Sequence, residues 1–502
     1  MSLLEDKLAL PGFRIGIELV STRGTMSEAK ARNVRNFSNA LIERPDVDWI
    51  SITDNAGGHP SIAATALGRP ILFANKEVII HITCKDINRN GLESKAWELS
   101  SEGFKNVLAI TGDYPTSGMA GVPKPVFDID SVGLLHLLKT MNTGIEVGKK
   151  KKSTLRNTDF FLGAVVSNFK KHENELIPQY LKLLKKIETG ASFIINQVGY
   201  DAGKISELAA FMKNKGYGDI PLIGNVYVLS KFSARLFNKN QIPGVVLTDA
   251  FYEQILKYSS GADKGKAFFL ELAAKMLSIY QGLGYKGGYI GGIHKIEDYQ
   301  KIMDIHHSFS EYDWKIFAQN LQFHQDGECF LYEKDHQTGL VIPNQINPQI
   351  FKRVKTKNIN LNYQISKRFH NLMFTEGKPL YNIGKKLCEK SNNHIHAPRW
   401  LYTIERMGKR VLFDCQDCGD CSLAQIGYLC PESQCAKNQR NGPCGGTQGG
   451  QCEVKPLQCI WARAYDRMKY EGTADDLLEH APVMQNHGLE HSSSWGNFWM
   501  NG

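Results

Sequence analysis

Between Arg14 and Ile293, eight short apolar runs alternate with longer amphipathic stretches, and this alternation restricts the fold more than anything else in the 502 residues. The runs are Arg14–Val20, Trp49–Asp54, Glu77–Cys84, Asn106–Asp113, Phe160–Asn168, Ser192–Gln197, Pro221–Tyr227 and Tyr285–Ile293. Short apolar runs bounded by turn formers are expected of strands buried on both faces. Helical spacing fills the intervals at Ser27–Ile42, Leu92–Ser101, Asn174–Thr189 and Lys204–Asn214, and predicts one further long helix over Lys264–Tyr280. Eight strands alternating with helices predict an α/β chain folded as a (β/α)8 barrel, with a doubly wound open sheet as the alternative. The first run is not followed by GxGxxG, which weakens a dinucleotide-binding open sheet.

In such folds ligands bind at the carboxyl ends of the strands. The stretch NVLAITGDYP, Asn106–Pro115, illustrates the arrangement: its apolar residues stop at Thr111 and Gly112 and deliver the carboxylate of Asp113 to that mouth. Thr53, Asp54 and Asn55 close the second run, and His81 and Thr83 lie in the third. Ser167 and Asn168 end the fifth, and Asn196 and Gln197 the sixth. Taken singly, each reads equally as a helix cap or a satisfied core group; six successive strands supplying polar groups point to a site. Glu18 differs, because Gly16, Ile17, Leu19 and Val20 surround it. A carboxyl in an apolar strand is expected to have a raised pKa and to serve as a general acid near neutral pH.

Charge and cysteine usage narrow the class further. Sixty basic residues against 51 acidic ones give a net +9, a mild excess that steers small polyanions. The run Lys149–Lys152 reads as a solvated loop, and no nucleic-acid partner is expected. No apolar run reaches the roughly 18 residues of a membrane span, and MSLLEDKLALPGF lacks a signal-peptide pattern. The expectation is a cytoplasmic protein without a membrane partner. Of eleven cysteines, Cys84, Cys329 and Cys388 are scattered, whereas Cys415, Cys418, Cys421, Cys430, Cys435, Cys444, Cys452 and Cys459 fall close together. In a cytosolic chain such density argues for metal ligands rather than disulfides. A CxxCxxC with a later Cys-Pro is similar to ferredoxin-type iron–sulfur ligation, with a longer gap here; structural zinc remains the alternative.

Several segments together resemble the methylenetetrahydrofolate reductase family: IELVSTR (Ile17–Arg23), SITDNAGG (Ser51–Gly58), HITC (His81–Cys84), AITGDYP (Ala109–Pro115) and GASFIINQ (Gly190–Gln197). The resemblance implies a flavin-containing barrel that reduces 5,10-methylenetetrahydrofolate to 5-methyltetrahydrofolate. It makes Glu18 the general acid, puts Asp113 beside flavin and pterin, and has Gln197 hydrogen-bond the pterin. Thr53, Asp54, Ala56, His81, Thr111, Gly112 and Asn168 would line the flavin, and Lys186 would reach its phosphate region. Thr111 stands where the family has arginine and Asp54 where it has tyrosine; these departures fall on the flavin's ribityl and phosphate contacts, so FMN is as open as FAD. The donor would be NAD(P)H or a ferredoxin-like protein, and a homo-oligomer is possible.

The tail, with CxxCGxC, Cys-Pro, RNGPCGG and SSSWGNFW, resembles the small partner subunit of acetogen-type enzymes of this family, fused here behind the barrel. Trp495 and Phe498 would then serve packing. The expected organisation is a barrel over 1–310, a connecting region packed on it over 311–410, and a cysteine-rich metal module over 411–502. The rival function is a non-redox folate- or pterin-dependent one-carbon carrier whose cysteines hold zinc.

Overall fold

The computed structural model describes residues 3–148, 151–391 and 395–501. Its centre is a closed, all-parallel barrel of β1 (Arg14–Leu19), β2 (Trp49–Ile52), β3 (Glu77–Thr83), β4 (Asn106–Ile110), β5 (Phe161–Val166), β6 (Phe193–Asn196), β7 (Leu222–Tyr227) and β8 (Gly287–Gly291). The strands follow one another in chain order, and β8 closes onto β1 in a register running from Arg14↔Gly287 to Ile17↔Ile290. All eight expected runs are barrel strands, and the open sheet is excluded by that closure. Of the basic run, Lys149 and Lys150 lie outside the described residues, while Lys151 and Lys152 are exposed.

Period-two alternation sorts each strand's side chains into two cores. Those pointing outward, such as Ile17, Ile50, Ile80, Val107 and Ile194, pack beneath the crossover helices. Those pointing inward, among them Trp49, Ile79, Leu108, Phe161, Phe193 and Ile223, fill the barrel's lower half. Leu4 and Leu8 of the short helix Leu3–Ala9 join them, and the backbone N–H of Leu4 donates to Glu77 at the start of β3. The bottom is therefore filled mainly with hydrocarbon around the bonded pair Glu77 and Asn106, and the other polar inward positions lie toward the carboxyl ends.

Beyond the barrel, a ribbon of Tyr332–Lys334 and Val341–Ile346 sits on the Ala202–Asn214 helix, whose Ser206 and Glu207 accept from the backbone of Val341 and Leu331. Helices Leu361–Met373, Pro379–Glu389 and Arg399–Phe413 follow, and then the cysteine-rich segment. The last helix, Ser494–Asn501, buries Trp499 fully against Gly384, with Trp495 and Phe498 ringed around Phe374.

The cysteine-rich segment is tied to the barrel through buried polar contacts. Asp130, which caps the Ser131–Thr143 helix through the N–H groups of Val132 and Gly133, also accepts from the backbone and side chain of Asn441 at 2.9 and 3.1 Å. Lys182 approaches the same carboxylate at 3.7 Å and donates to Gln439 and to the Gly442 carbonyl. Removing one member strands the others away from water, which typically costs about 3–5 kcal/mol. Asp130→Ala is therefore expected to lower the thermal midpoint of the whole chain by several degrees, whereas an exposed substitution such as Lys139→Ala leaves it unchanged; calorimetry reads both.

Candidate active site and cysteine centres

The inward positions near the strand ends carry a hydrogen-bonded row across four adjacent strands. Tyr289 of β8 donates its hydroxyl to Glu18 of β1 at 3.2 Å. Ser51 of β2 interacts with the Tyr289 hydroxyl and lies 2.8 Å from Nε2 of His81 on β3. Burial raises the Glu18 carboxyl above its ordinary range, and the Tyr289 hydrogen bond only partly opposes this. Burial also pulls His81 down to about 4, so at neutral pH it is an uncharged hydrogen-bonding partner. Space for the Glu18 carboxyl comes from Gly291, where a Cβ would stand 2.6 Å from Oε2. The result is a carboxyl whose pKa lies above the ordinary carboxylate range, beside an uncharged imidazole.

Asp113 lies on the rim just beyond β4 and accepts from the backbone N–H of Gly57 at 2.8 Å, which fixes it to the Ala56–Gly58 turn. The intervening Gly112 has φ +89°, and a Cβ there would meet Thr83 at 2.9 Å. Gln197 stands at the end of β6 with its carbonyl turned back onto the N–H of Val198. Thr53 is buried, and its hydroxyl has no hydrogen-bond partner among the described residues. That orphaned oxygen, the Ala56–Gly58 turn and neutral His81 border one part of the mouth and suit a polar, planar ligand.

The remaining expected cofactor residues sit elsewhere. Asp54 accepts from the backbone and hydroxyl of Thr83, tying β2 to β3, and burial raises its pKa. Asn168 donates to the Lys204 carbonyl, and Asn196 to Tyr280, so both face the outer helices. Lys186, drawn down to about 7 by burial, donates to the Val165 carbonyl. Thr111 contacts Ser131 and Gln439. On this side of the mouth the chain itself fills the space: Lys437 donates to the Gly112 carbonyl at 2.9 Å, and Ser167 and Lys170 both donate to the Gly445 carbonyl.

Sequence reasoning missed Tyr289, Ser51 and Lys437. For Tyr289 the signal was present in GGYIGG, since glycines on both sides of a lone aromatic in a strand leave room for close approach. For Lys437 there was none, because its partner Gly112 is more than 300 residues away in sequence.

The eight clustered cysteines divide into two neighbourhoods. Cys415 interacts electrostatically with Cys421 and Cys430, and Cys418 with Cys421. Cys435 does so with Cys444 and Cys452, and Cys459 with Cys444 and Cys435; these four line one cavity of about 20 Å³ with Lys437 and Glu453. Arg440 bridges the two, donating to the Asp420 carbonyl and Ser422 from within the second segment. Among the described residues no three His, Cys, Asp or Glu groups are drawn close enough to hold a metal as they stand. The donor chemistry nevertheless suits one. Backbone N–H groups point at Cys415 from Asp417 (3.4 Å), at Cys435 from Gln439, and at Cys452 from Val454 and Lys455 (all 3.5 Å). Such amide dipoles stabilise a thiolate and tune a metal bound to it.

A model of the methylenetetrahydrofolate reductase family matches residues 28–294, just over half of the chain. The chain belongs to the methylenetetrahydrofolate reductase family. A second model, described as methylenetetrahydrofolate reductase C terminal, matches residues 396–487 and so takes in all eight clustered cysteines. Methylenetetrahydrofolate reductase 2 of Saccharomyces cerevisiae is 23% identical over 214 residues, covering 41% of this chain and 32% of that one, so the match spans about a third of the relative's length. Among solved structures, an uncharacterized protein from Clostridium thermocellum that binds two copies of 5-methyl-5,6,7,8-tetrahydrofolic acid has a TM-score of 0.42 at 14% identity, covering 61% of this chain and 98% of that one. A 2,3-dimethylmalate lyase has a TM-score of 0.33 at 10% identity, covering 60% and 82%. Among the described residues, no helix is long and apolar enough to cross a membrane.

Proposed function

We propose that the barrel reduces 5,10-methylenetetrahydrofolate to 5-methyltetrahydrofolate with the help of a flavin bound at its mouth. The observation that carries this reading is the Glu18 carboxyl, its pKa raised by burial and its position set by the Tyr289 hydroxyl. Opening the methylene bridge leaves the departing nitrogen in need of a proton, and Glu18 supplies it. Asp113, fixed by the Gly57 N–H, places negative charge where the iminium carbon becomes cationic. Gln197 offers its amide to the pterin ring. When bound, the flavin supplies the hydride that the iminium accepts. Thr53, the Ala56–Gly58 turn, His81 and Gly112 would hold its ring.

FMN fits this mouth better than FAD. The side toward Lys186, where the resemblance puts the flavin's phosphate, is bordered by residues 437–447, which supports a short cofactor tail. The two cysteine neighbourhoods support iron–sulfur ligation by two sets of four thiolates, the inner one joined to the barrel by Lys437 and the outer one carrying the exposed Cys421. So loaded, the two sets would offer an electron path between the exposed Cys421 and the barrel.

Anaerobic purification tests the reading. A flavin spectrum with FMN on acid extraction, a broad iron–sulfur shoulder and formation of 5-methyltetrahydrofolate with a reduced viologen are expected. Zinc without flavin or turnover would instead favour the non-redox carrier. Gln197→Ala is expected to weaken folate binding by about 1–3 kcal/mol, roughly 5- to 150-fold, with flavin content unchanged. Equilibrium titration measures the change, and an unaltered dissociation constant removes Gln197 from the site.

A further inference from the structure

Residues 352–413 contain fourteen Lys and Arg but three Asp and Glu, a net +11 that exceeds the +9 of the entire chain. Three helices in this region, Leu361–Met373, Pro379–Glu389 and Arg399–Phe413, leave apolar side chains in water along one row each. On Arg399–Phe413 the buried row is Leu401, Glu405, Lys409 and Phe413, and the exposed row is Trp400, Ile404, Met407 and Val411, between 57% and 86% exposed. Pro379–Glu389 repeats the pattern: Tyr381, Gly384 and Cys388 face inward, while Leu380, Ile383 and Leu387 show outward. Leu361, Ile365, Phe369 and Leu372 do the same on the first helix. The helices form one layer, since the first two pack together and Asn362 donates to the Leu412 carbonyl at 2.9 Å. An amphipathic helix normally hides such rows, and a patch of this extent marks a contact surface.

We propose that this layer lies on an anionic lipid surface, its apolar rows at the boundary between headgroups and acyl chains and its exposed cations on the phosphates, Lys409 being buried against Glu405. Basic helices with Trp, Phe and Leu along the apolar side have the character of interfacial anchors, and each cation near an anionic surface strengthens the attraction. Nine of the fourteen cations are Lys, whereas protein–protein interfaces favour Arg and are depleted in Lys. A second copy of the chain would set +11 against +11, which electrostatics opposes. A face resting on a bilayer needs no spanning helix, so the absence of a span-length apolar run does not bear on it.

Flotation of the full chain with phosphatidylcholine vesicles, with and without phosphatidylglycerol, tests the proposal. Binding is expected only with phosphatidylglycerol, and it should weaken as salt rises. K386E/K390E, at an exposed lysine of the Pro379–Glu389 helix and the exposed lysine that caps its end, should reduce partitioning roughly tenfold or more. I404S/M407S/V411S should do likewise, with thermal midpoints unchanged in both. If the apolar triple lowers the midpoint, the charge pair alone carries the test. Equal partition onto neutral vesicles, or none onto anionic ones at low salt, overturns the proposal. Loss of a solution dimer in the triple variant without vesicle binding would reassign the face to contacts between copies. Binding of an acidic ferredoxin that the triple abolishes, again without vesicle binding, would reassign it to a protein partner.

Discussion

Glu18→Gln is expected to slow folate reduction about 10²- to 10⁴-fold, the usual contribution of a positioned acid, while leaving flavin content and flavin reduction by the donor intact. The amide keeps the volume beside Gly291 and the contact with Tyr289 but has no proton to give. The pH dependence follows from the raised Glu18 pKa. The acid form is present below the folded-state pKa and is lost as pH rises through it, so the folate half-reaction of the unaltered protein should fall over that window and that of the variant should stay flat. Stability carries the same sign. Between the unfolded and folded pKa values the folded chain holds a proton that the unfolded chain has released, so stability declines as pH climbs through that interval. Glu18→Gln should abolish this decline. Stopped-flow kinetics and thermal midpoints across pH read the two effects separately. If both half-reactions fell together, Glu18 would not be the acid.

The second large effect concerns the cysteines. Under the two-cluster reading, Cys418→Ser and Cys444→Ser should each remove about half of the bound iron and part of the visible shoulder, because an alcohol is a hard, poor substitute for a thiolate. Flavin should persist in both, since the inward core of the barrel is drawn from its own strands and the Leu3–Ala9 helix alone. Reduction of the flavin by a one-electron protein donor should collapse in both variants, while chemically reduced flavin still serves the folate. Complete loss of iron from either substitution would mean one shared centre. Zinc in the unaltered protein, with no iron, would end the relay reading.

Much of this molecule was legible from the chain alone. Burial on both faces forces a strand of a parallel sheet to be a short continuous apolar run, and all eight such runs became barrel strands within a few residues of their expected ends. The burial of Glu18 and its raised pKa were legible for the same reason, since a carboxyl inside such a run is desolvated. Helices read less well. Ala64–Phe73 carries Pro70 inside it, and Ser131–Thr143 depends on Asp130, whose capping role is shared with Asn441 far along the chain. The cysteine spacing marked out a cluster but not its partition, because Cys430 and Cys435 are near neighbours in sequence yet fall in different neighbourhoods. Only the tertiary structure set Tyr289 against Glu18, brought Lys437 to Gly112, and joined Asn168 and Lys186 to the carbonyls of Lys204 and Val165. Local sequence fixes which side chains are buried, through periodicity. Which buried groups meet is decided by barrel closure and by the docking of a segment hundreds of residues away, and no local pattern encodes that.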